Sequence, residues 1–279
     1  MDLLSFFEKI KPIRTAFQYL KTFSLVACLA ACNAGDDHAA SDTAIKKSAL
    51  VNELSTGRGF PLTSSIWRST SLNVCWEMGG SEFVATKADR HLVRRFVTES
   101  WQAVSALRFT GWDDQCGSAL RPFLIRISVQ DVNPYVRRLG SFNENMPGGM
   151  VLNFTFQNYG YKSCQPGDFE HELCMKLVAV HEFGHALGFA HEQNRLDTPH
   201  EPAICDEAPQ GQNGDAIFGP WDKESVMNYC AIKWMAHGNL SPVDIQMARA
   251  YYGTMRPDPA SLQSSVGSIM SLVLEDDDQ

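Results

Sequence analysis

Apolar positions divide the chain into a series of strands and helices between two polar flanks. Leu72 to Trp76 reads as a short strand. Beyond it, Leu92, Val93, Phe96, Val97, Trp101 and Val104 recur at three and four residues, which is the stripe of a helix with a broad buried face. Thr86, with Asp89 three residues on, predicts the start of that helix as a capping box. Phe123, Ile125, Ile127 and Val129 alternate with Leu124, Arg126 and Ser128, the period of a strand with one strongly buried face. Gly148-Gly149 introduces Met150 to Phe156, again strand-like. Asp168, after Pro166-Gly167, predicts the cap of a helix running through Leu173 and Leu177 into an apolar segment that carries three histidines. Ser241-Pro242-Val243-Asp244 opens a last helix, closed by Gly253.

The flanks lack this pattern. Lys9, Lys11, Arg14 and Lys21 precede an apolar run, Phe23 to Ala31, that is too short to span a bilayer. The run ends in Leu29-Ala30-Ala31-Cys32, which resembles the lipobox at which a bacterial signal peptidase cuts before a cysteine that is then acylated. Leu25-Val26-Ala27-Cys28 is a weaker second candidate, and an ordinary secretory signal or an uncut anchor are the alternatives. Residues 33–65 are polar and rich in small side chains and read as a tether. Residues 254–279 read as a tail with a solvated acidic end, Glu275 to Asp278. The organisation expected is therefore a signal over 1–32, a tether over 33–65, one folded domain over 66–253 and a tail.

Length and composition narrow this further. A chain of 279 residues can bury a sizeable core, and its net charge of -8 leaves no basic stripe to neutralise phosphates, so a nucleic-acid partner is not expected. Of eight cysteines, Cys28 and Cys32 belong to the signal; the six in the domain suggest disulfides in an exported protein. Six cysteines allow 15 pairings. The local ones, Cys75–Cys116, Cys164–Cys174 and Cys205–Cys230, are the expectation.

The chemistry is concentrated in His181-Glu182-Phe183-Gly184-His185-Ala186-Leu187-Gly188-Phe189-Ala190-His191. His181 and His185 are four residues apart and project from one helical face. Glu182 sits about 100° further round, too far to ligate but placed to touch a water on the metal. Gly188 can take the left-handed conformation that ends a helix and turns the chain so that His191 reaches the same ion. Three nitrogen ligands leave a fourth tetrahedral position open, as in a hydrolytic zinc site. Chance placement of the five residues at these offsets is on the order of one in ten thousand or rarer at average usage. The remaining histidines, His38, His91, His171, His200 and His237, have no comparable spacing.

This stretch is the signature of the metzincin zinc peptidases, and Phe189-Ala190-His191-Glu192-Gln193-Asn194-Arg195-Leu196-Asp197 resembles the astacin subgroup, where Glu follows the third histidine and an Arg-x-Asp follows that. Ser225-Val226-Met227-Asn228-Tyr229 resembles the astacin Met-turn. The resemblance implies an α+β, zincin-like domain: a twisted mixed sheet, an active-site helix and a C-terminal helix. It also implies one catalytic zinc on His181, His185 and His191, Glu182 as general base, Met227 as a floor beneath the histidines, and Tyr229 as a group that stabilises the transition state. The activity implied is endopeptidase cleavage of protein or peptide substrate, by a monomer that meets the membrane only through its lipid, at the bacterial cell envelope or secreted. By the same resemblance Met150 to Phe156 holds the place of the edge strand that pairs with extended substrate, with a plain hairpin strand as the alternative. Glu192 would bind a mature N-terminus, which requires a cut near Ser65, or else has another partner. A surface lipoprotein that keeps the metal site only for binding is the rival reading. Intact Glu182 and Tyr229 argue against it.

Overall fold

A computed structural model describes residues 59–254 apart from 160–161, 202–203, 218 and 232–233. The signal, most of the tether and the tail lie outside the described residues. Strands β1 (Ser71–Glu77), β2 (Arg108–Thr110), β3 (Leu124–Val129), β4 (Tyr135–Val136) and β5 (Met150–Leu152) form a sheet in the order β2-β1-β3-β5-β4. All neighbours are parallel except β4, which runs antiparallel to β5 with Tyr135 opposite Val151. The helices are α1 (Gly80–Ala85), α2 (Lys87–Val97), α3 (His171–Ala186) and α4 (Pro242–Tyr252). This is the mixed sheet with an active-site helix and a C-terminal helix that the resemblance implied.

Several local expectations differ from what the chain does. Thr86 does not cap by a side-chain bond; its hydroxyl donates to Glu82 O (2.8 Å) at the end of α1, so the helical run begins at Gly80. At its far end α2 passes into a π-helical turn, Thr98–Gln102, which buries Trp101. Asp168 is not a cap either, since α3 starts at His171. In β3 the second face is buried as well: Leu124 and Ser128 are covered along with Ile125 and Ile127, because β3 lies between β1 and β5. Met150 to Leu152 is likewise an inner strand, flanked by β3 and β4. The edge is β4.

The core holds α3 against the sheet. From Leu177 to Ala186 every side of this helix is buried, the condition under which a helix is apolar all round except where function intervenes. Phe183 packs edge-on to Phe109 (5.2 Å between centroids) and stacks on Trp112 (5.7 Å). Trp101 Nε1 donates to Val180 O (2.9 Å) and Trp67 Nε1 to Ala186 O (2.7 Å), so the indoles satisfy their own polar atoms while fixing the helix. The disulfides Cys75–Cys116, Cys164–Cys174 and Cys205–Cys230 are all formed, the local pairing expected from sequence. The last residues of the stretch read as a tether are bound to the domain: Leu62 N–H donates to Gly188 O and Ala190 N–H to Phe60 O (2.9 Å each), with Phe60 buried beside Leu139 and Ala190.

Candidate metal centre

Helix α3 ends as its sequence requires. Gly188 has φ +100, and Gly188 N–H donates to His185 O (2.9 Å) while Phe189 N–H donates to Gly184 O (3.0 Å). A side chain there would be strained, so glycine is what permits the reversal. The turn delivers His191 opposite the two helical histidines. His191 Nε2 lies 3.2 Å from His181 Nε2 and 3.1 Å from His185 Nε2. Among the described residues, His181, His185 and His191 are the group of potential ligands whose donor atoms converge closely enough to hold one metal ion.

Each ring is oriented from behind. His181 Nδ1 donates to Val226 O (2.9 Å), His185 Nδ1 to Phe189 O (2.7 Å) and His191 Nδ1 to Gln210 O (3.0 Å). A carbonyl can only accept, so each Nδ1 carries the proton and each neutral ring turns an unprotonated Nε2 to the centre. Burial, reinforced by the neighbouring imidazole of His191, lowers His181 to about 3; burial lowers His191 to about 4 and holds His185 well below its usual value. Three lone pairs therefore face one another with no proton between them. Nitrogens about 2.0–2.1 Å from a tetrahedral zinc would be about 3.3–3.4 Å apart, close to the separations seen, so the donor set fits that ion.

Glu182, next to His181 in sequence, is 4% exposed, and its Oε2 has no hydrogen-bond partner among the described residues. Burial pushes the carboxyl up to about 8. An orphaned buried acceptor next to a metal position is what a water-activating group requires. Tyr229 stacks its ring on His181 (5.3 Å, 17° between planes) and approaches His191 to 4.5 Å between centroids. Met227 is buried beneath: a Cβ built on Gly184 would overlap its Sδ and come within 3.2 Å of Trp101. Gly184 thus allows the Met-turn to approach the helix between the two histidines.

Glu192 has an internal partner. Its Oε1 accepts from Arg195 Nη1 (3.0 Å) and from the Asp222 N–H (2.9 Å), while Arg195 pairs twice with Asp197 (2.8 Å each). Burial works against the charge of Arg195, but Asp197 and Glu192 together hold it firmly protonated. Of the histidines set aside, His91 faces Asp113 at 3.7 Å and His171 Nδ1 bonds Cys164 O at 2.7 Å, both away from the centre. Sequence reasoning missed the carbonyls of Val226, Phe189 and Gln210, and it read Asp244 only as part of a helix start.

Three converging imidazoles, with a buried glutamate next to one of them in sequence, make a site able to hold a metal ion, and comparison with known proteins adds a family likeness. Residues 169–268 match the family model of the astacin peptidases. The matched stretch contains the three converging histidines and Glu182, and over it the chain is similar to the astacin peptidases, a family of zinc metalloendopeptidases that act on protein or peptide. Two solved structures are similar to it: "Structure of myroilysin", 18% identical over 71% of this chain and 100% of that one with a TM-score of 0.47, and "Crystal structure of myroilysin", 18% identical over 71% and 92% with a TM-score of 0.43. No curated protein matches the chain.

Proposed function

We propose that the protein hydrolyses internal peptide bonds with one catalytic zinc held by His181, His185 and His191, with Glu182 as general base and Tyr229 as oxyanion donor. The observation that carries this reading is the convergence of the three histidine Nε2 atoms, with the buried Glu182 next to His181 in sequence carrying an oxygen that has no partner among the described residues. Zinc at such a site supplies Lewis acidity towards the scissile carbonyl and lowers the pKa of a water towards about 7. Glu182 takes the proton of the attacking water and passes it to the leaving amine. Placed against His181 and His191, Tyr229 donates its hydroxyl to the oxygen on which charge develops. An extended substrate would add along β4, the edge strand next to β5.

Metal analysis of the purified protein tests the reading. One zinc per chain is expected, with an all-nitrogen-and-oxygen shell by X-ray absorption. Full peptidase activity in a metal-free preparation, or sulfur in the shell, would overturn it.

The setting we infer is the cell envelope or the exterior, reached through a signal over residues 1–32, with lipid on Cys32 holding a monomer; the tether ends before Phe60, which packs into the domain, and the tail follows from residue 254. Three disulfides suit an oxidising compartment. Among the described residues no helix is long and apolar enough to cross a membrane. Cys32→Ser is expected to release the protein from the membrane fraction without loss of peptidase activity. Mass spectrometry finding a mature N-terminus free of lipid in the wild type would refute the anchor and leave the enzyme assignment standing.

A further inference from the structure

The buried carboxylate of Asp244, in the first turn of α4, lies outside the catalytic scheme above. It is 0% exposed and is held on three sides: Ser225 Oγ donates to Oδ1 (2.7 Å), while the backbone N–H groups of Val226 (2.8 Å) and Ser241 (2.9 Å) donate to Oδ2. The Ser241 contact closes a capping box, which alone would account for an aspartate here. The Val226 contact is not required by a cap. It reaches across 18 residues to the N–H of Val226, the residue whose carbonyl, in the next peptide unit, accepts the Nδ1–H of His181.

We propose that Asp244 is a positioning residue for the zinc site, acting through the Val226 residue on His181. The inference rests on the zinc reading above. Val226 is gripped at its N–H by Asp244 and offers its C=O to the ligand ring, so the carboxylate sets where that acceptor stands and hence the rotation and tautomer of His181. Burial pushes Asp244 up to about 6 against its three donors. At neutral pH it is therefore an ionised acceptor, and its bonds to Val226 and Ser225 are charge-assisted and short. The same clasp orders the segment that follows. Ser225 Oγ, fixed by Asp244, accepts the N–H of Met227 (3.0 Å), and Met227 O accepts the N–H of Glu192 (2.9 Å), next to His191. Two of the three ligands are thus braced from one side chain.

The test is the zinc dissociation constant, measured by chelator competition on the full chain, with the thermal transition of the metal-free protein recorded beside it. Asp244→Ala should weaken zinc binding about 10- to 100-fold, the usual cost of losing a group that orients a ligand, whereas Asp244→Asn should stay within about threefold of wild type, because its amide oxygen still accepts from Val226 and Ser241. A residue that only caps α4 would lower the melting temperature and leave the constant alone. Asp244→Ala within about threefold of wild type, or Asp244→Asn as weak as Asp244→Ala, would overturn the proposal. If Asp244→Ala does not fold, Ser225→Ala reads the same clasp: weaker zinc binding at an unchanged transition supports it, and wild-type affinity refutes it. A wild type that binds no zinc would instead overturn the functional reading beneath it.

Discussion

Glu182→Gln is expected to keep its zinc and lose at least about a hundredfold in kcat/KM, the lower end of what a positioned general base contributes. The substitution preserves volume in a site where the residue is 4% exposed, and Glu182 is not one of the three convergent ligands, so neither packing nor metal content should change. What changes is basicity. An amide cannot take a proton from water, and it cannot return one to a leaving amine. The orphaned Oε2 makes the case sharper, since among the described residues that oxygen serves no hydrogen bond that its replacement would break. Steady-state kinetics on a quenched peptide, with zinc quantified in the same samples, decide the matter. Turnover near that of the wild type at full zinc occupancy would mean that another group accepts the proton.

Tyr229→Phe is expected to spare folding and zinc while reducing kcat by about a hundred- to a thousandfold, the range seen when one oxyanion donor is removed. The ring is what packs: it stacks on His181 and leans on His191, and phenylalanine keeps both contacts. The backbone N–H of Tyr229 donates to Gln193 Oε1 (3.1 Å), a bond the substitution does not touch. The loss should therefore fall on kcat with KM little altered, the mark of an interaction made in the transition state. A drop of less than about threefold would make Tyr229 a packing residue, and a drop that follows lost zinc would make it a ligand.

The arithmetic of the site was legible in the chain because its determinants are local. A spacing of four on a helix puts His181 and His185 on one face whatever surrounds them, and a glycine at position 188 allows the reversal that returns His191. The three disulfides joined the nearest partners, and the Ser241 capping box formed within four residues as written. Where sequence reasoning slipped, two local signals competed. Thr86 and Asp168 both look like caps, but the hydroxyl of Thr86 is taken by the preceding helix, and α3 begins only after the turn that Asp168 helps to make.

Tertiary structure alone decided whatever depends on partners distant in sequence. The run after Gly148-Gly149 marked Met150 to Phe156 as strand-like, yet the strand stops at Leu152, and only the pairing of Tyr135 with Val151 makes it an inner strand with β4 outside it. The partner of Glu192 was open between a mature N-terminus and some other group; in the fold it pairs with Arg195, whose guanidinium is in turn held by Asp197. Asp244 read as an ordinary cap because a capping box contains no information about a third donor 18 residues upstream. Periodicity reports which face of an element is buried. It does not report what that face meets, so the three candidate ligands came from sequence and the carbonyls behind their rings came from the fold.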